Sequence, residues 1–161
     1  MVSVTEQQVR RWLAAVPDPE IPVLSITDLG IVRDVSVSGG VTVGLAPTYT
    51  GCPATEAIEA SVIRALREKG VDDIRIERRL SPPWTTDWIT EEGRARLREY
   101  GIAPPSQATG KHGLLHGDRP AACPRCGATA TTRVSEFGST PCKAAYRCDD
   151  CLEPFEYFKC L

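Results

Sequence analysis

Apolar residues recur at helical spacing near the start of the chain, at Val9, Trp12, Leu13 and Val16, and the stripe ends at Pro17. Thr5-Glu6-Gln7-Gln8 precedes it in the order of a capping box, so a first helix is predicted there. The two prolines of Asp18-Pro19-Glu20-Ile21-Pro22 make the next segment a loop. The period then falls to two. Val35 and Val37 lie on one face of a strand running from Ile31 to Val37, Ser38-Gly39-Gly40 is a turn, and Val41, Val43 and Leu45 alternate on its partner. Helical spacing returns at Ala54, Ile58, Val62 and Leu66, with Pro53 as the first helical residue, Cys52 at the N-cap and Gly70 as the stop. Ile74 and Ile76 mark a third strand, up to Leu80.

Ser81 to Trp88 is irregular, and its two tryptophans either pack over a core or line a partner surface. Thr90 caps a short helix to Tyr100, stopped by Gly101. The expected fold is α/β: a small two-layer sandwich of about three strands and two to three helices over residues 1–102. Residues 103–120 lack periodicity and read as a linker, and residues 121–161 form a second, smaller domain.

The 161 residues are 42% hydrophobic and 25% charged, the composition of a globular chain. No apolar run is long enough to span a bilayer, and no signal peptide is visible, so the expected location is cytoplasmic. Residues 1–102 hold 12 basic and 15 acidic side chains, and residues 121–161 hold five of each, so neither part has the basic excess of a nucleic-acid binder.

The seven cysteines are unevenly spread, with Cys52 alone and six in the last 39 residues. Cys123-Pro124-Arg125-Cys126 and Cys148-Asp149-Asp150-Cys151 are two C-x-x-C pairs. Two tight turns of this kind, facing each other, supply a tetrahedral thiolate set, and so short a domain needs a metal to fold. The reading is a structural four-cysteine zinc ribbon, although four thiolates also suit iron. Cys142 and Cys160 are left as small buried residues or spare ligands. At a helix start, Cys52 either faces unpaired amides that favour its thiolate, as nucleophile or soft-metal ligand, or is a buried structural cysteine. A nucleophile wants a neighbouring histidine, and the only two, His112 and His116, lie in the linker. One thiolate per chain does not hold an iron–sulfur cluster, so cluster binding calls for a homodimer or a partner's ligands.

Three segments carry a resemblance: Asp18-Pro19-Glu20-Ile21-Pro22, Ile26-Thr27-Asp28-Leu29-Gly30-Ile31-Val32, and Thr48-Tyr49-Thr50-Gly51-Cys52-Pro53-Ala54. They resemble the metal–sulfur cluster assembly domain family, the SufT-like proteins. Ser81-Pro82-Pro83-Trp84-Thr85-Thr86-Asp87-Trp88-Ile89 and Phe137-Gly138-Ser139-Thr140-Pro141-Cys142-Lys143-Ala144 extend the resemblance to its PaaD-like branch, which accompanies the bacterial phenylacetyl-CoA epoxidase. The resemblance implies a small α/β sandwich and puts the family's signature cysteine at Cys52, as a transient ligand of iron or an iron–sulfur cluster. It implies Asp18 and Glu20 close by, assisting metal handling or capping their own loop. It also implies an accessory protein that is not itself an enzyme and that serves the metal centres of the oxygenase and reductase subunits. The alternative is a structural or coupling subunit that docks those components without handling metal.

Overall fold

A computed structural model describes residues 4–106, 120 and 122–159, in two compact units, residues 1–84 and 85–161. In the first unit, helix α1 (Glu6–Leu13) starts at the predicted capping box: the Thr5 hydroxyl accepts from the Gln8 amide, and the Gln8 side chain accepts from the Thr5 amide at 2.9 Å. Strands β1 (Val32–Val37) and β2 (Val41–Leu45) form the predicted antiparallel hairpin. Helix α2 (Ala54–Arg67) then crosses over to β3 (Ile74–Arg78), which pairs parallel to β2, giving the strand order β1-β2-β3.

α1 packs on α2 and β1, and α2 packs on β3. Val9, Leu13, Ile58, Val62 and Leu66 of the helices and Val35, Val41, Val43 and Leu45 of the sheet are all buried. Asp34, Gly44 and Glu77 stand in register across the three strands, out of phase with that buried set. Trp84 closes the unit. It is buried, and its indole N–H donates to the Leu29 carbonyl at 2.8 Å, so this ring packs over the core, while Trp88 is half-buried.

In the second unit, Thr90 caps helix α3 (Glu91–Tyr100), and Gly101 ends it in the left-handed conformation at φ 94°, as predicted. The chain runs directly into β4 (Ile102–Ala103). β5 (Thr131–Ser135), β6 (Lys143–Cys148) and β7 (Pro154–Phe158) are antiparallel neighbours, and β4 adds parallel to β7, so the sheet order is β4-β7-β6-β5. Residues 85–102, grouped by sequence with the first domain, therefore fold with the second unit. Only the pairing of two residues with a strand more than fifty positions later reveals it. Of the expected linker, residues 107–119 lie outside the described residues, and His112 and His116 with them.

The second core joins Tyr146, Phe155 and Tyr157, with the Tyr146 and Tyr157 rings edge to face at 5.7 Å, to Cys123, Cys148, Ala103 and Ala144. Beside it, the buried Lys143 ammonium pairs with Glu156 at 2.9 Å, and Glu156 also accepts from the Ser139 amide. No helix among the described residues is long and apolar enough to cross a membrane.

Candidate functional site

Cys52 sits between two backbone devices. Gly51 adopts φ 84°, a conformation that disfavours a side chain, and turns the chain into α2. The Cys52 carbonyl accepts from the Thr55 amide at 3.2 Å, tightening the entry. The helix begins one residue later than predicted: Pro53 is the N-cap, no side chain caps α2, and Cys52 precedes the cap. The half-buried thiol opens onto a pocket of about 520 Å³, together with Thr50, Glu56, Arg78 and Leu80.

Arg78 was not foreseen, though β3 carries the signal. It continues the alternation of Ile74 and Ile76, and its register partner is Leu45, so it ends the row of residues facing α2. The Glu59 carboxylate holds it through two bonds, at 2.6 and 3.1 Å, and raises the guanidinium's pKa above its ordinary value. Leu80 is 63% exposed. The pocket thus combines one soft ligand, a guanidinium paired with Glu59, a carboxylate at Glu56 and an exposed apolar residue.

Asp18 and Glu20 do not line this pocket. Asp18 is buried, and its Oδ1 accepts from the amides of Glu20 and Ile21 at 2.9 and 2.8 Å, which makes it the cap of its own loop. Asp28 acts similarly, with Asp28 Oδ2 accepting from the Ser25 amide and Ser25 Oγ from the Asp28 amide, each at 3.0 Å.

The four-cysteine set assembles as its spacing predicted. The sulfurs of Cys123, Cys126, Cys148 and Cys151 all lie within 4.8 Å of one another. Cys123 and Cys151 are separated by 3.9 Å, and Cys126 and Cys148 by 3.5 Å. Four thiolates about 2.3 Å from a tetrahedral zinc would stand about 3.8 Å apart, so the donor set fits such an ion. Backbone amides also point at the sulfurs, from Arg125 to Cys123 at 3.4 Å and from Cys151 to Cys148 at 3.5 Å. The Cys151 amide is the chief reason that the Cys148 thiol is drawn down to about 7. The Glu153 amide acts the same way on Cys151, but burial and the three neighbouring sulfurs outweigh it and push that thiol up to about 12. Thiolates this close repel one another, and a cation between them would offset that repulsion. Cys142 stands outside this set, buried, with its sulfur 3.0 Å from the Thr140 hydroxyl. Cys160 lies outside the described residues.

Comparison with known proteins assigns a family to each part. Residues 107–159 match the PaaD zinc beta ribbon domain, and residues 6–77 match the family described as iron-sulfur cluster assembly protein. An Escherichia coli (strain K12) protein, provisionally named as a subunit of 1,2-phenylacetyl-CoA epoxidase, is 52% identical over 150 residues, spanning 92% of this chain and 89% of that protein. The chain belongs to the PaaD family. An Fe-S protein maturation auxiliary factor of Porphyromonas gingivalis (strain ATCC BAA-308 / W83) is 38% identical over 96 residues, covering 58% of this PaaD-family chain and 90% of its own. Two solved structures are similar as well. One is a domain of unknown function from Bacillus anthracis (TM-score 0.54, 27% identity, 57% of this chain and 90% of that one). The other is a conserved hypothetical protein from Thermotoga maritima (TM-score 0.52, 28% identity, 60% and 97%).

Proposed function

We propose that this PaaD-family chain is an accessory protein of a phenylacetyl-CoA epoxidase system that helps assemble an iron or iron–sulfur centre in the oxygenase or reductase. Cys52 is the transient ligand of the iron cargo, and the four-cysteine ribbon holds a structural zinc. The observation that carries the reading is the half-buried thiol of Cys52 in a pocket beside Arg78, within the part of the chain that matches an iron-sulfur cluster assembly family. An iron–sulfide fragment bound to thiolates carries negative charge, which the Arg78 guanidinium would attract and the Glu56 carboxylate oppose. A single thiolate releases cargo more readily than a full ligand set. The chain itself is not the enzyme, and a homodimer or the client supplies the remaining ligands.

The test is anaerobic purification, with zinc, iron and acid-labile sulfide measured per chain in the natural protein and in Cys52→Ser. Iron and sulfide that vanish in the variant while zinc stays support the cargo role. A client centre fully loaded by Cys52→Ser overturns it.

The name of the Escherichia coli relative, an epoxidase subunit, favours a second reading: a coupling component bound stably to oxygenase and reductase without handling metal. That reading expects co-purification at fixed stoichiometry and indifference to loss of Cys52.

A further inference from the structure

Within the second unit, α3 faces a cleft of about 420 Å³ that has no part in the proposed metal delivery at Cys52. Arg94 lines it and is only 6% exposed. Its guanidinium donates to two neutral acceptors, the Pro105 carbonyl at 2.6 Å and the Thr86 carbonyl at 2.8 Å. These bonds fix the group without neutralising it, and among the described residues no carboxylate pairs with it. A buried charge normally has a counter-charge. Arg98 follows one helical turn later, also lines the cleft and is exposed, so a second guanidinium is available there. Glu91 also lines the cleft, so among the described lining residues the arginines outnumber the carboxylates two to one.

The opposite wall is Pro104, Pro105 and Pro124, which offer apolar surface and no amide donors. A planar guanidinium pairs best with a planar oxyanion, and the proline wall favours an apolar body behind that oxyanion. We propose that the cleft between α3 and the first cysteine turn binds an organic carboxylate with an apolar body, carried by a free acid or by the C-terminus of a protein chain.

The experiment is an amide chemical-shift titration of the full metal-loaded chain with benzoate. Benzamide serves as the neutral isostere and inorganic phosphate as the bare anion. Arg98→Gln removes the exposed cation, and Arg96→Gln controls for general surface charge. Circular dichroism and metal content confirm that both variants fold. The expected result is saturable shifts over α3 and Cys123–Gly127 with benzoate, none with benzamide, and affinity about tenfold or more weaker in Arg98→Gln only. Tighter binding of N-acetylphenylalanine than of benzoate marks a chain terminus as the source, and the reverse marks a free acid. The proposal is overturned by shifts that do not saturate, by equal response to benzamide, by binding of phosphate alone, or by an unchanged Arg98→Gln. Binding of phosphate alone would mark a site for bare anions, and each of the others would mean that the arginines only offset the negative charge of the neighbouring four-thiolate site.

Discussion

The Asp34 carboxylate lies over Gly44, its register partner on the adjacent strand, and fills the space where any side chain at that position would begin. A Cβ at Gly44 would meet the Asp34 carboxylate carbon at 2.6 Å. The carboxylate cannot easily move aside, because Arg79 grips both its oxygens at 2.9 Å and also reaches Glu77 at 2.7 Å. Gly44→Ala should therefore destabilise the first unit by about 1–3 kcal/mol, the usual range for overpacking. In denaturant unfolding, Asp34→Ala in the same chain should recover most of that loss, a coupling that a double-mutant cycle reads directly.

The same ion pair sets an acid dependence. The bonds from Arg79 hold the Asp34 carboxyl below its ordinary value of 3.8. A carboxyl depressed in the folded state adds stability above its unfolded pKa and loses it as pH falls through the folded one. The contribution should thus be complete above about pH 4 to 5 and fade below that. Both partners are partly exposed, so solvent screens the pair and keeps its contribution small. Asp34→Asn should flatten the acid limb of stability against pH slightly, and identical limbs would show the pair contributes nothing.

Lys143 and Glu156 should respond unequally. Burial by itself would raise the Glu156 carboxyl, but the Ser139 amide and the Lys143 ammonium more than offset it and hold the pKa low. Glu156→Gln strands a buried ammonium and should cost about 2–3 kcal/mol. Lys143→Met replaces the cation with an apolar chain of similar length and should cost less than half as much. Thermal unfolding of the two variants measures the difference.

Cys148 and Cys142 are both buried in the second unit, yet only Cys148 belongs to the four-sulfur cluster. Cys148→Ser should abolish metal retention and unfold the ribbon. Cys142→Ser should keep about one metal ion per chain and lose about 1 kcal/mol, the cost of burying a hydroxyl. Metal analysis beside circular dichroism separates them.

Whatever rests on neighbours in the chain was legible in the sequence. The Thr5 capping box, the β1–β2 hairpin, the Thr90 and Gly101 ends of α3 and the two C-x-x-C turns all depend on residues a few positions apart. What escaped depends on distant partners. Trp84 was ambiguous because its acceptor, the Leu29 carbonyl, lies 55 residues away. The Arg78–Glu59 pair beside Cys52 joins a strand to a helix face, and no local pattern specifies it. Asp18 was left between metal helper and cap of its own loop, and its oxygen serves two amides of its own turn. The start of α2 is the local exception, placed one residue early, since Pro53 serves the cap as readily as the first turn.

The short strand β4 changes what loss of the metal would mean. Cys148 ends β6, β6 holds β7, β7 holds β4, and β4 continues without a break from Gly101 at the foot of α3. Metal occupancy is thereby wired through three strands to a helix that sits earlier in the chain than any of the ligands. A fragment cut just before Cys123 would keep all four ligands yet bare the backbone edge of β7, an invitation to mispairing. The smallest piece that behaves as a unit starts well upstream of its own metal site.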